Sequence, residues 1–288
     1  MKESIKDKLF QNVITFVLCI LGFIALIPLI SVVAMSFSSK AAADMNIVNL
    51  LPVGFTFASW KYIITDGGLW RSFFITLTAT LTGTALALVI TSLMAYPLSK
   101  SNFKLGRVLM LFVIITMVFK APIVPYFLTV KGMGLFNNPL VLVLPQILTA
   151  YNLAIMRTFF KQFPAEVEEA AKIDGCGYFR ILYKIILPSS KAVLTTVGLF
   201  YAVTIWNQFQ HPIMFIQDTD LFPLQLKIRQ LISGGSEILN ITMMSHANYT
   251  ESTLSAAAVV FAIAPIIAIY PWLQKYFAQG AMLGSVKG

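Results

Sequence analysis

Five stretches of this chain, positions 9–39, 72–99, 132–156, 192–217 and 252–274, contain no Asp, Glu, Lys or Arg. A sixth, positions 108–130, is interrupted only by Lys120. A helix needs about 20 apolar residues to cross the hydrocarbon of a bilayer, and each stretch is long enough. Backbone polar groups find no water there, so a spanning segment must close its hydrogen bonds internally, as a helix does. The chain therefore reads as an all-α membrane protein with six transmembrane helices. Composition agrees: 58% of the 288 residues are apolar and 11% are charged, against about 25% charged in soluble domains. The runs are spread along the whole length with no internal repeat or low-complexity segment, which points to one membrane domain.

Lysine and arginine set the orientation, because loops rich in them stay cytoplasmic. With the N-terminus inside, fourteen lie in the cytoplasm: Lys2, Lys6, Lys8, Lys100, Lys104, Arg107, Arg157, Lys161, Lys172, Arg180, Lys184, Lys191, Lys275 and Lys287. Only Lys40, Lys61, Arg71, Lys131, Lys227 and Arg229 are then outside. The expected order is a cytoplasmic N-terminus at 1–11, a six-helix membrane domain at 12–274 and a cytoplasmic tail at 275–288. The net charge of +9 is accounted for by this orientation, and no nucleic-acid partner is needed. The first run has a basic start and Ala41-Ala42-Ala43 after it, as a secretory signal would. It is, however, about twice the length of a signal's apolar region, so it reads as an uncleaved helix kinked at Pro28. Cys19 falls in a span and Cys176 in a cytoplasmic loop, so a structural disulfide is not expected.

Several function classes are disfavoured by what is missing. There is no GxxxxGK[ST] phosphate loop, so ATP is not bound in that way. His211 and His246 match no metal-ligand spacing. All twelve carboxylates fall in loops, whereas an ion-coupled carrier usually keeps an ionisable residue and its partner within the membrane. No cluster of acids or bases suggests a membrane enzyme. If the chain transports a solute, the energy source must come from elsewhere.

Between two apolar runs lies a charged segment, PAEVEEAAKIDGCGYFRILYKIILP, from Pro164 to Pro188. Pro164 suits the first turn of a helix, where its missing N–H costs nothing. Val167, Ala170 and Ala171 share one face, with Glu166, Glu168, Glu169 and Lys172 around it. Asp174-Gly175 ends this helix. A second comes after it, with Phe179, Leu182, Ile185 and Ile186 as its apolar stripe and Pro188 as its stop. Two short helices, apolar on one side and charged on the other, make a knob suited to another protein's groove.

This segment resembles the EAA loop of permease subunits from bacterial ATP-driven (ABC) importers. Glu169-Ala170-Ala171, Asp174-Gly175 and Ile186-Leu187-Pro188 match the family pattern at its spacing, while Cys176 and Ala192 depart from it with small residues. The resemblance implies a type I importer permease fold, with a cytoplasmic coupling loop at 161–190 in a multi-pass bacterial inner-membrane protein. Coupling to the ATPase would rest on Glu168, Glu169, Ala170, Ala171, Asp174, Gly175, Phe179, Leu187 and Pro188. The implied partners are a second homologous permease, two ATP-binding subunits that hold ATP and Mg, and an extracytoplasmic sugar-binding protein. This chain would bind no cofactor itself. The stretches Gly132–Pro145, Ile155–Phe160, Phe222–Gln230 and Tyr270–Gly288 look like carbohydrate permeases, close to those serving oligosaccharides from polysaccharide breakdown. A permease for another small solute, an ion-coupled carrier and a membrane scaffold are the alternatives.

Contacts with substrate need aromatic faces for the C–H side of a sugar ring and amides or hydroxyls for its OH groups. Thr204, Trp206, Asn207 and Gln208 at the end of the fifth run, with Gln146 and Asn152 in the fourth, offer both, although each alone is more often a helix–helix hydrogen bond or an interfacial anchor than a ligand contact. Thr76, Thr78, Thr80, Thr82 and Thr84 read as packing positions. In the outer loop at 216–250, Leu224, Ile228, Leu231 and Ile232 make the stripe of an amphipathic helix ahead of Gly234-Gly235. By resemblance that loop meets the binding protein through Leu224, Gln225, Lys227 and Arg229; by composition the helix equally suits the membrane surface. Lys120 is the one charge inside a run. At about 1.5 Å per residue from Arg107 it lies ~20 Å across a ~30 Å core. It either snorkels to the outer surface or lines the path and favours anionic sugars such as uronates.

Overall fold

The computed structural model describes residues 5–233 and 248–285, and no strand occurs among them. The order is α1 (Ile5–Ser36), α2 (Lys40–Asp44), α3 (Ala58–Thr65), α4 (Gly67–Ser99), α5 (Gly106–Val118) and α6 (Ile123–Gly132). Two 3-10 turns (Pro139–Leu142, Leu144–Gln146) lead to α7 (Ala150–Lys161), α8 (Ala165–Ile173) and α9 (Tyr178–Ile181). Next come a π turn (Leu182–Ile186), α10 (Leu187–Ser189), α11 (Lys191–Trp206) and α12 (Gln210–Phe215). A 3-10 turn (Thr219–Leu221) precedes α13 (Leu224–Ser233), and α14 (Glu251–Ser285) closes the described chain.

Three helices are long and apolar enough to span singly: Phe10–Ser36, Gly67–Ser99 and Glu251–Pro271. In place of the other three expected spans there are bent pairs of shorter helices, the third of which joins the second helix of the 164–188 segment to Lys191–Trp206, the helix of the fifth run. Gly106–Val118 and Ile123–Gly132 meet at 117°, Pro139–Gln146 and Ala150–Lys161 at 46°, and Tyr178–Ser189 and Lys191–Trp206 at 86°. Counting each pair as one span gives six. Proline accounts for one of the breaks. Pro122 pushes the residue before it out of the helical region; Phe119 is extended and the chain is non-helical from Phe119 to Pro122. Pro139 and Pro145 stand at the starts of the 3-10 turns, where no backbone N–H is required. The third break falls at Ser190, with φ −104° and ψ 22°. Pro28 and Pro97, by contrast, are carried inside α1 and α4.

The described residues form two compact units. One holds residues up to Trp70 together with those from Ile228 to Pro265. Here Ala34, Ala42 and Val48 make a small core, and the Ser59 hydroxyl donates to Thr253 Oγ1 at 3.0 Å. Phe37 stacks on Phe55 and Trp60, with centroids at 5.6 and 5.4 Å. Gly54 supports that arrangement: its φ is +64°, and a Cβ would stand 2.5 Å from Ser39 Oγ. Ala256, Ala257, Ala258 and Ala262 of α14 are buried as small residues at a close approach should be, while Ala264 is exposed.

The second unit holds Arg71–Lys227 and the end of α14 from Ile266. It has two cores. One joins α4, α7, α9 and α11 through Ala95, Leu153, Met156, Phe160, Ile181, Ile186, Val197 and Tyr201. The other gathers Ala79, Val130, Val141, Leu142, Ile205 and Phe215. Of the α4 threonines, Thr76 and Thr80 are buried, whereas Thr78 and Thr82 are exposed and bond back to Phe74 and Thr78 carbonyls. The backbone of α14 stays helical to Ser285, past the expected tail boundary at 275. Gly234-Gly235, His246, Lys2 and Lys287 lie outside the described residues.

Tyr201 is fully buried. Its hydroxyl sits 2.7 Å from Thr91 Oγ1 and accepts the Thr149 N–H at 3.2 Å. Tyr201→Phe strands both partners in the core, so it should cost about 1–3 kcal/mol. Equilibrium unfolding of the purified protein in mild detergent reads this loss, and Thr91→Val in the Tyr201→Phe background should recover part of it.

Candidate functional site

The Pro164–Pro188 segment begins with Pro164 as the cap just before α8, not within its first turn. Glu166 and Glu168 occupy the first turn and Lys172 the last, each where the helix dipole favours it. The helix ends in a Schellman arrangement: the Cys176 N–H donates to the Ala171 carbonyl at 2.9 Å and the Gly175 N–H to Lys172 at 3.0 Å. Gly175 holds φ +76° with open space around it. Glycine is therefore required by backbone conformation alone.

Which sides face in differs from the expected pattern. On α8 the buried residues are Glu168 and Ala171; Val167, Glu169 and Ala170 are exposed, as is Asp174. On the second helix Ile181, Leu182 and Ile186 are buried, but Phe179 is 79% exposed and so is not part of the inward stripe. Ile173 at 87%, Tyr183 at 73% and Tyr178 at 61% are also exposed. The helix runs one residue past Pro188, to Ser189, through the π turn at Leu182–Ile186. The π turn adds a residue to one turn and so rotates the residues before it relative to those after it. Leu187 is half-buried and Pro188 exposed. Glu168 pairs with Lys100, the residue after α4. Lys100 Nζ also lies 4.5 Å from the Tyr96 ring centre.

At the other end of α11, Gln146 and Gln208 come together and bring two residues the sequence left unmarked. Gln146 Nε2 donates to Gln208 Oε1 at 3.0 Å and stands 3.0 Å from His211 Nδ1. Tyr126 Oη is 3.0 Å from His211 Nε2, and Gln208 Nε2 donates to the Leu142 carbonyl at 2.8 Å. With an amide N–H at Nδ1, the histidine proton belongs on Nε2, where it donates to Tyr126. Tyr126 and His211 lie in different apolar runs, and nothing in the sequence pairs them.

The remaining candidates stand apart from this chain of bonds. Thr204 is exposed and donates to its own helix, at Phe200 O. Trp206 is buried edge-on to Phe73, with centroids at 5.9 Å. Asn207 is exposed, donating to Val203 O and accepting from Gln225 Nε2 at 3.5 Å. Asn152 is buried, and its Oδ1 has no hydrogen-bond donor among the described residues. Leu224 is fully buried and its N–H bonds Thr76 Oγ1, so it cannot serve as an outward contact. Gln225 and Lys227 are half-buried and Arg229 is exposed. Lys120 is exposed in the extended break between α5 and α6. Its depth therefore cannot be counted at the helical rise, which ends at Val118.

A family of proteins described as "Binding-protein-dependent transport system inner membrane component" matches residues 83–282. The chain is 37% identical over 285 residues to the polygalacturonan/rhamnogalacturonan transport system permease protein YtcP of Bacillus subtilis, covering 98% of this chain and 100% of that one. It is 39% identical over 268 residues to protein LplC of the same organism, covering 93% and 91%. Its fold matches a chain in the crystal structure of a bacterial ABC transporter involved in the import of the acidic polysaccharide alginate. The TM-score is 0.87 at 31% identity, over 96% of this chain and 99% of that one. This chain belongs to the family of inner-membrane components of binding-protein-dependent transport systems: it is a multi-pass permease subunit of an ABC transporter, with a transport role and not an enzymatic one.

Proposed function

We propose that the chain forms half of the translocation path of an importer for acidic oligosaccharides and is driven by a cytoplasmic ATPase docked on the α8–α9 knob. The observation that carries the coupling role is the knob itself. Ile173, Tyr178, Phe179 and Tyr183 are exposed beside Glu169 and Asp174. Large apolar side chains rimmed by charge mark a protein interface. The fixed turn at Gly175 presents the two short helices at one angle. A second, homologous permease completes the path, and two ATP-binding subunits carry ATP and Mg. ATP closes the ATPase pair, the two knobs approach, and the membrane halves move from inward- to outward-open. An extracytoplasmic sugar-binding protein delivers substrate to the face carrying Gln225, Lys227 and Arg229. Both termini lie in the cytoplasm.

Acidic substrate is supported by relatives named for polygalacturonan, rhamnogalacturonan and alginate transport and by Lys120. That lysine sits exposed where a broken helix leaves backbone groups open. Broken helices are found in membranes where they line a cavity or are buried in protein. Tyr126, His211, Gln146 and Gln208, bonded to one another, supply aromatic faces and amides suited to a sugar.

Purification of the tagged chain from native membranes should bring down a second permease and an ATPase. Gly175→Val opposes the left-handed turn by about 1–2 kcal/mol, so ATP-driven uptake in proteoliposomes should fall several-fold, while Gly175→Asn, which tolerates φ > 0, should fall less. A chain that purifies alone, or a Gly175→Val complex with normal uptake, would overturn the coupling role. Lys120→Gln should weaken uptake of uronate oligosaccharides by about 1–2 kcal/mol, roughly 5–30-fold, relative to neutral ones of equal length. Equal change for both would remove Lys120 from substrate selection.

A further inference from the structure

The two neighbouring glutamates of α8 have opposite surroundings. Glu169 is exposed, whereas Glu168 is 5% exposed and pairs with Lys100 across 68 residues of sequence. Successive helix residues are about 100° apart, so one carboxylate faces out of the chain while the other faces into it. We propose that the Lys100–Glu168 pair is the strut through which the coupling knob moves the end of α4, and that Lys100 is a positioning residue for transport. This inference rests on the coupling role proposed above and divides it: Glu169 meets the partner, and Glu168 transmits.

The end of α4 is built to receive such a tie. Lys100 is the residue just beyond the helix, where a cation also meets unpaired carbonyls. Its ammonium is shared between the Glu168 carboxylate and the face of Tyr96 at 4.5 Å. The Arg157 Nε–H of α7 donates to the Leu98 carbonyl at 2.8 Å, and the Ser99 hydroxyl donates to Tyr96 O at 2.7 Å. The last turn of α4 is thus held from α7 by one contact and from α8 by another. Beside the ion pair the packing is open: a cavity of about 440 Å³ is lined by Leu93, Tyr96, Pro97, Phe103, Tyr178 and Phe179, among others. Apolar contact on that side leaves room for α9 to shift. A paired charge keeps its partner close through such a shift, because an uncompensated charge in a buried place is strongly disfavoured.

The test uses the complete importer, with both permeases, the ATPase and the binding protein, in proteoliposomes, scoring substrate imported per ATP hydrolysed. Lys100→Gln and Glu168→Gln should each lower that ratio about tenfold, and the exchanged pair Lys100→Glu with Glu168→Lys should restore most of it. Lys100→Met with Glu168→Met keeps apolar bulk at both positions and guards against loss through misfolding. It should assemble with the ATPase yet remain uncoupled. A double-Met complex that imports at the wild-type ratio would overturn the strut, as would an exchanged pair no better than the single variants. Failure of the wild-type complex itself to import with ATP would instead overturn the coupling role on which this inference rests.

Discussion

Hydrocarbon offers a backbone amide no water, so a helix broken inside a membrane must have its open ends bonded by the protein itself. The second unit of this chain meets that requirement at three helix or turn ends with three side chains. Tyr201 Oη accepts the N–H of Thr149, the cap of α7. Gln208 Nε2 donates to the carbonyl of Leu142, the last residue of its 3-10 turn. Thr76 Oγ1 accepts the N–H of Leu224, the first residue of α13. Each of these groups belongs to the end of a helical element, where backbone partners run out. Of the three, Tyr201 and Gln208 serve the bent pair Pro139–Gln146 and Ala150–Lys161, and Gln208 also belongs to the region proposed for substrate.

That correspondence explains what the sequence disclosed and what it concealed. Charge-free runs report where the chain can enter a bilayer, because that depends only on composition over about 20 residues. They do not report whether the helix inside is continuous. Pro28 and Pro97 sit within helices while Pro122 sits at a 117° bend. All three remove one N–H, so the presence of proline alone does not decide where a helix breaks. The Gly175 turn was legible because one residue's backbone decides it. The placement of Phe179 was not. Helical spacing says which residues share a face but not which face a π turn and the neighbouring helices bring inward. Lys100 and Glu168, far apart in sequence, carry no pattern that would join them.

Length relates the two ends of the second unit. Lys191–Trp206 is one uninterrupted helix of 16 residues, about 24 Å long at 1.5 Å per residue. Its N-terminal half contributes Val193 and Val197 to the core that also holds Ile181, Leu182 and Ile186 of the 164–188 segment. Its C-terminal end contributes Ile205 to the second core, and Gln208 just beyond bonds the Gln146–His211–Tyr126 chain. A close-packed helix transmits displacement along its axis with little loss. It begins at the 86° break after α10, so in the proposed coupling a movement of the knob would turn its start as well as push it.

Hydrogen bonds at the far end suit that kind of movement. Gln146 is bonded to both Gln208 and His211, residues that flank the end of α11 and enter α12. An amide has two donors and two acceptor sites, and an imidazole can exchange which nitrogen holds the proton. Such groups can trade one partner for another, including a sugar hydroxyl, without leaving a buried polar atom unpaired. An apolar contact at the same place would resist rotation of α11 by steric overlap and offer nothing to a carbohydrate. Polar groups of this kind permit rearrangement in the region proposed for substrate, as the walls of a permeation path would require.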